Sequence, residues 1–252
     1  MRFIILLVLA STFAFGQKQY QKNTDQNGNL QSEGWLENNE KIDYWKFYHS
    51  NGTLSSEGHF KANKKDGFWS FYDDKGQLIK EGHFNNDSKI DFWKIYENAQ
   101  LIEEGYYHNN QKSGHWNFYY VNSKLEKEGD FKNDKAIGYW KFYYKNGQLE
   151  KEGKFKLGKF TSYWQFYSSD GKKVSEGHFK DGKKQNWWLF YDANEKINHK
   201  CQLSNNKKNG FCLMYTDEKL TSAVKYSNGK RIKEWTDLKS FKRDNKLSDL
   251  RS

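Results

Sequence analysis

The residues that could do chemistry in this chain recur at fixed intervals, and the recurrence decides most of what they can do. His59, His83 and His178 fall at one repeated position, Glu57, Glu81, Glu104, Glu128, Glu152 and Glu176 at another, and Tyr48, Tyr72, Tyr96, Tyr119, Tyr143, Tyr167, Tyr191 and Tyr215 at a third. If the chain is built of strands, successive histidines lie two strands apart, about 10 Å, too far to share one Zn²⁺ at bonds near 2.0–2.1 Å. Two glutamate rungs at the same spacing approach the separation of about 6.5–9.5 Å of an inverting glycosidase pair. Repeated carboxylates in one solvated environment, however, lack the contrast in pKa that an acid and a base need. No Ser-His-Asp, phosphate-loop or zinc signature is present. The expectation is therefore no catalytic residue, no metal ligand set and no cofactor.

The elements that position these residues are read from the same periodicity. WKFY, WSFY, WKIY, WNFY, WKFY, WQFY and WLFY begin at Trp45, Trp69, Trp93, Trp116, Trp140, Trp164 and Trp188, a spacing of 23 to 24 residues, with CLMY at 212 and Trp235 continuing the series in degraded form. About twelve residues after each Trp comes Glu-Gly, with Gly58, Gly82, Gly105, Gly129, Gly153 and Gly177. Alternation with period two, broken by turn residues about every twelve positions, predicts two strands per repeat and leaves no room for helices of ordinary length. One turn carries Asn51-Gly52, Lys75-Gly76, Asn146-Gly147 or Asp170-Gly171, and Asn-Gly suits the two positive φ angles of a type I′ hairpin. The other has Asn, Asp or Gly at 39, 63, 87, 110, 134, 158, 182, 206 and 229, expected as the first central residue of a two-residue turn.

This register places Trp45 opposite Gly58 and Gly58 opposite Trp69, so a single row alternates Trp and Gly, with each indole lying over a residue that offers no side chain. Cys201 takes the Gly position and Cys212 the Trp position of one repeat, which makes them direct neighbours and a candidate disulfide in an oxidising compartment. One face then carries Trp, Phe, Leu and Gly. The other carries Lys46, Lys94 and Lys141 in a row with the glutamates, flanked by the Tyr48 row and by a second row of Tyr44, Phe68, Phe92, His115, Tyr139, Tyr163, Trp187 and Phe211. The Tyr48 row, through Tyr191, is the candidate partner or ligand surface, although cross-strand packing worth about 0.2–1 kcal/mol a pair is narrowly the favoured role for it.

The pattern WxFYxxNGxLxxEGxF, followed by Lys and a further Gly and Trp, resembles the MORN-repeat variant of bacterial proteins labelled YwqK-family antitoxins, over residues 27 to 235. The resemblance implies an elongated β-meander of stacked hairpins that serves as an interaction scaffold, with no catalytic residues to carry over. The last two repeats depart from it, with Cys212 for Trp and Lys200-Cys201 for Glu-Gly.

Composition agrees with a thin sheet. The 252 residues are 35% hydrophobic and 18% aromatic, contain no Pro and have a mean hydropathy of −1.12. The expected fold class is all-β, an elongated single-layer antiparallel β-meander, solenoid-like, of about eight or nine repeats. The expected organisation is a signal peptide over 1–16, from Arg2, the apolar run 3–10 and the small residues Ala14 and Gly16; a repeat domain over 17–235; and a basic tail or short capping helix over 236–252. Cleavage near Gly16 would export the chain to the periplasm, the cell surface or the medium. The formal charge of +10 raises nucleic acid as a partner, but export and the interleaving of Lys with Glu argue against it. The expected function is protein–protein interaction by a non-enzymatic scaffold. A glycan or cell-wall polymer on the aromatic rows is the alternative, and peripheral membrane contact or toxin neutralisation are further ones. Roughly eighteen strands at about 4.8 Å predict a particle on the order of 85 Å long, less the effect of twist. Small-angle scattering should return that extended form; a compact sphere would sink the repeat architecture.

Overall fold

A computed structural model describes residues 17–250; the expected signal segment 1–16 lies outside them. Nineteen strands make an open antiparallel sheet. The first are β1 (Gln19–Thr24), β2 (Leu30–Glu37), β3 (Glu40–Tyr48), β4 (Leu54–Lys61), β5 (Lys64–Tyr72), β6 (Leu78–Asn85) and β7 (Ser88–Glu97). Next come β8 (Gln100–His108), β9 (Gln111–Tyr119), β10 (Leu125–Lys132), β11 (Lys135–Tyr143), β12 (Leu149–Lys156) and β13 (Lys159–Tyr167). The last are β14 (Lys173–Lys180), β15 (Lys183–Tyr191), β16 (Ile197–Ser204), β17 (Lys207–Thr216), β18 (Lys219–Ser227) and β19 (Lys230–Trp235), followed by α1 (Leu238–Asp244) and a 3₁₀ turn, Leu247–Leu250. By their contacts, residues through Leu78 together with His83–Ser88 form one compact unit, and Ile79–Gly82 with Lys89 onward form a second.

Within each unit the strands pair in chain order, and the Trp–Gly row is their common axis. In the first unit Gly34 faces Trp45, Trp45 faces Gly58, and Gly58 faces Trp69. In the second, Trp140, Gly153, Trp164, Gly177, Trp188, Cys201 and Cys212 face one another in succession. The seven repeated indoles are no more than 3% exposed. A Cβ built on Gly58 would lie 2.4 Å from Trp69 Cδ2, and one on Gly105 2.4 Å from Trp116 Cδ2. The indole leans on the glycine that precedes it, and only hydrogen fits beneath the ring.

The two turns exchange the roles assigned from the sequence. At Asn51-Gly52 only Gly52 has a positive φ (84°), His49 N–H donates to Thr53 O at 2.8 Å, and Gly52 N–H donates to His49 O at 2.9 Å. This is a three-residue loop with a left-handed glycine, not a type I′ turn. The type I′ geometry sits at the other turn, where Ala62 and Asn63 have φ of 48° and 63° and Asn133 and Asp134 have 49° and 61°. Asn63 and its equivalents are therefore the second central residue and not the first, so the turn lies one residue earlier in the chain than expected. A bulge restores the Trp–Gly register: between Lys154↔Thr161 and Gly153↔Trp164, β13 carries two extra residues, Ser162 and Tyr163. Positive φ at Asp43, Gly67, Asp91, Gly114, Gly138, Ser162 and Asn186 marks the same bulge in each repeat.

The bulge also explains the choice of tryptophan. Beside the bulge the indole N–H donates to the carbonyl of the residue after Glu-Gly: Trp69 Nε1 to His59 O at 2.9 Å, Trp116 Nε1 to Tyr106 O at 2.9 Å, and Trp188 Nε1 to His178 O at 3.1 Å. Lids of lysine and phenylalanine complete the burial. Lys41 Nζ lies 4.8 Å from the centroid of Trp45, Lys112 Nζ 4.0 Å from Trp116 and Lys184 Nζ 4.0 Å from Trp188. Burial pushes Lys41, Lys89 and Lys184 below the ordinary lysine value. In the repeat of Trp164 the lid is Phe160, stacked at 3.9 Å.

Adjacent hairpins are tied through their turns. Asn63 N–H donates to Lys41 O at 3.0 Å while its side chain accepts from Lys41 N–H at 2.7 Å, and Asp87–Lys65 and Asp134–Lys112 repeat the exchange. Cys201 and Cys212 are joined by a disulfide where the indole would lie. Trp235 does not continue the Trp row: Val224 faces Glu234 while Ala223 faces both Leu213 and Trp235, which places Trp235 on the opposite face. There α1, capped by Asp237 accepting from Ser240 N–H, packs Phe241 against Phe211 and Trp235 at 5.6 and 5.5 Å, so it covers a face of the last strands and not simply their edge.

Gly105→Ala should cost about 1–3 kcal/mol or more by overpacking and expel the indole of Trp116. Gly76→Ala, at φ 79° with open space around its Cβ, should cost about 1–2 kcal/mol and leave the indoles buried. Urea midpoints with tryptophan emission distinguish the two; equal costs without a red shift in Gly105→Ala would refute the close-packed row.

Candidate functional site

Strand alternation puts Tyr44, Lys46 and Tyr48 on the face opposite Trp45 and Phe47, and this outer face contains the expected ligand surface. Each tyrosine of this row from Tyr48 to Tyr191 donates its hydroxyl to the glutamate fifteen residues earlier; Tyr215 has Lys200 at that place. Tyr48 bonds Glu33 at 2.6 Å, Tyr72 Glu57 at 3.0 Å, Tyr96 Glu81 at 2.9 Å, Tyr119 Glu104 at 2.6 Å, Tyr143 Glu128 at 2.6 Å and Tyr167 Glu152 at 3.1 Å; Tyr191 bonds Glu176 in the same way. Burial, then the bonded carboxylate, raises the pKa of Tyr143 well above the ordinary phenol range. All seven rings are half-buried. Their polar tips are committed to the sheet.

Lys46 and Lys141 face Glu57 and Glu152 in register, yet among the described residues no ion pair joins Lys46, Lys94 or Lys141 to a ladder glutamate. The phenols supply the hydrogen bonds, and the ladder alternates along its length: Lys46, Lys94 and Lys141 occupy every second rung, while Ser70, Asn117 and Gln165 occupy those between. Glu176 is the most enclosed carboxylate. Burial alone would raise its pKa, but hydrogen bonds from Gln165, Tyr191 and Lys173 outweigh burial and bring it to about 2.

The more accessible rings belong to the second outer row. Tyr44, Phe68, Phe92, Tyr139 and Tyr163 are 37–46% exposed, braced edge-on by His59, His83, Tyr106 and His178 in four of the five cases. His115 instead approaches Asp130 at 3.1 Å. The histidines are thus ring partners, and among the described residues no group of three or more His, Cys, Asp or Glu is placed to hold a metal.

Several concavities interrupt the surface. A slot of about 230 Å³ is lined by Tyr139, Glu152, Lys154, Ser162, Tyr163 and Gln165. A larger apolar hollow of about 340 Å³ opens beside α1, with Leu213, Leu220, Ala223, Trp235, Leu238 and Phe241 on its walls. The hollow escaped the sequence reading, although a signal was present: Leu213, Ala223 and Trp235 stand on the ladder row where earlier repeats carry Lys or Glu.

Tyr191→Phe should remove one donor from Glu176. A carboxyl depressed from 4.5 to about 2 contributes stability that is fully present above about pH 4.5 and is lost as pH falls toward 2, on the order of 3 kcal/mol in all. The variant should therefore be less stable at pH 7, and the deficit should shrink at pH 2. Urea titrations at both pH values would show a pH-independent deficit if the bond carried no such linkage.

Among solved structures, that of TarM matches at 13% identity and a TM-score of 0.25, over 47% of this chain and 20% of that one. A mutant of S. aureus TarM in complex with fondaparinux, alpha-GlcNAc-glycerol and UDP matches at 13% and 0.20, over 56% and 20%. The Photorhabdus luminescens Tc holotoxin pore matches at 12% and 0.21, over 82% and 14%. The chain spans a fifth or less of these proteins, and such scores carry no argument about function. No curated protein matches the sequence. A family model described as MORN repeat variant matches residues 44–62, 65–86, 137–157 and 160–181.

Proposed function

We propose that this chain is an exported, non-enzymatic repeat scaffold that holds a protein partner at its C-terminal end. MORN repeats are in general protein- or membrane-binding modules, which supports the scaffold reading. The single observation that carries a protein partner is the hollow beside α1. Its walls are apolar, and Leu220 and Leu238 on its rim are 53% and 59% exposed, a cost that a partner's aliphatic or aromatic side chain would relieve. Its position suits capture, because the outer face elsewhere is lined by the charged ladder.

Export rests on the leader-like N-terminus, and the non-enzymatic reading on the phenol hydrogen bond that each ladder glutamate from Glu33 to Glu176 accepts. A native pull-down from the exporting cell should recover one stoichiometric protein. Leu220→Glu and Leu238→Glu should each reduce its recovery at least tenfold without changing the unfolding midpoint by more than a few degrees. Undiminished recovery by both variants would place the contact elsewhere, and recovery of no protein at all would overturn the reading.

A further inference from the structure

The slot between Tyr139 and Tyr163 is a concavity of the second outer row, set on the bulge that the repeats share. Tyr163 sits in the two-residue bulge of β13, behind Ser162 with its positive φ of 61°, so it pairs with His178 of β14 and has no opposite number on β12. His178 braces the ring edge-on at 5.0 Å. Tyr139 pairs with Lys154 across β11 and β12, and the two exposed phenol rings stand two strands apart, about 10 Å. Between them lie Glu152 and Gln165, facing each other in register, with Lys154 and Ser162 at the sides.

The composition of the walls selects the ligand. A cationic group would meet Lys154 in the slot and Lys141 facing Glu152 from the other side, and an anionic group would meet Glu152. A neutral ring with many hydroxyls suits all of them: Glu152 accepts, Lys154 donates, and Gln165 and Ser162 do both. The C–H faces of such a ring pack against phenol rings. The volume of about 230 Å³ is below the roughly 300–1,000 Å³ of sites for drug-sized molecules, and so is suited to one ring. We propose that Tyr139, Glu152, Lys154, Ser162, Tyr163 and Gln165 form a subsite for one pyranose ring of a neutral β-1,4-linked glycan, whose flat ribbon lies on the open sheet face.

The position of Gln165 provides an internal control. Lys46, Lys94 and Lys141 occupy the equivalent rung in other repeats, so Gln165→Lys substitutes a residue this fold already accommodates and can still donate toward Glu176. The experiment is titration of the full chain with chitotetraose and cellotetraose, followed by calorimetry and by saturation transfer from the tyrosine rings, with maltotetraose as a non-ribbon control. At least one β-1,4 tetrasaccharide should bind saturably and more tightly than maltotetraose. Tyr139→Ser, Tyr163→Ser and Gln165→Lys should each weaken it at least tenfold. Leu220→Glu should leave it unchanged, so this subsite and the protein-partner reading fail separately. Binding of neither β-1,4 tetrasaccharide, equal binding of maltotetraose, or binding insensitive to Tyr163→Ser and Gln165→Lys would overturn the proposal. Binding of a lysine-rich peptide at the same residues in place of the sugars would also overturn it.

Discussion

The indole of each repeat, laid over a glycine and hydrogen-bonded into a bulge, is the constraint on which the rest depends. A one-layer sheet has no second layer to bury its apolar face, so every repeat must make its own interior. Tryptophan does this because one side chain covers the neighbouring strand and also donates to a carbonyl beside the bulge, as Trp116 does to Tyr106 O. The bulge in turn gives the second outer row its exposure, since residues such as Tyr163 are released from pairing on one side. Replacing the indole by an aliphatic residue would leave a cavity and remove the indole's hydrogen bond.

Charge is sorted by face. Lysines 41, 65, 89, 112 and 184 lie over the rings of the Trp face, where their stems extend the apolar cover and their ammonium groups stay near water. The ladder glutamates are on the other face, bonded to phenols, whereas Glu103 lies on the Trp face and pairs with Lys112 at 2.6 Å. The net charge of +10 is thus not evenly interleaved, and the outer face is more acidic than the composition suggests. Each of its ladder carboxylates from Glu33 to Glu176 accepts from a neutral phenol, and at the two ends Lys22 pairs with Glu33 at 3.2 Å and Lys173 with Glu176 at 2.9 Å.

Much of the fold was legible because two-residue periodicity and recurrent glycines leave little choice of register: Trp45 opposite Gly58 and Cys201 opposite Cys212 follow from counting. The turn types were not legible. Asn-Gly suits a type I′ turn and also a left-handed glycine closing a longer loop, and local propensity does not separate the two. The bulge was hidden by compensation, since a turn one residue earlier and extra residues in the following strand leave the Trp–Gly pairing intact. For the candidate site, the Tyr48 row recurs most faithfully and so attracts notice, yet its faithfulness reflects a structural bond to glutamate. Tyr139 and Tyr163 belong to a row that varies more, and their meeting around Gln165 depends on the bulge. Trp235 shows the same limit from the other side: residue type suggests a row, but one position of phase changes the face.

The alternation of Lys with Ser, Asn or Gln along the ladder has a period twice that of the hairpin. Structure therefore repeats with every hairpin, while outer-face chemistry from Lys46 to Gln165 repeats with every second one. A chain that grew or shrank by a single repeat would keep its packing and shift the electrostatic phase of everything beyond the junction. One that changed by two repeats would preserve both. The unit of folding and the unit of recognition in this architecture need not be the same length.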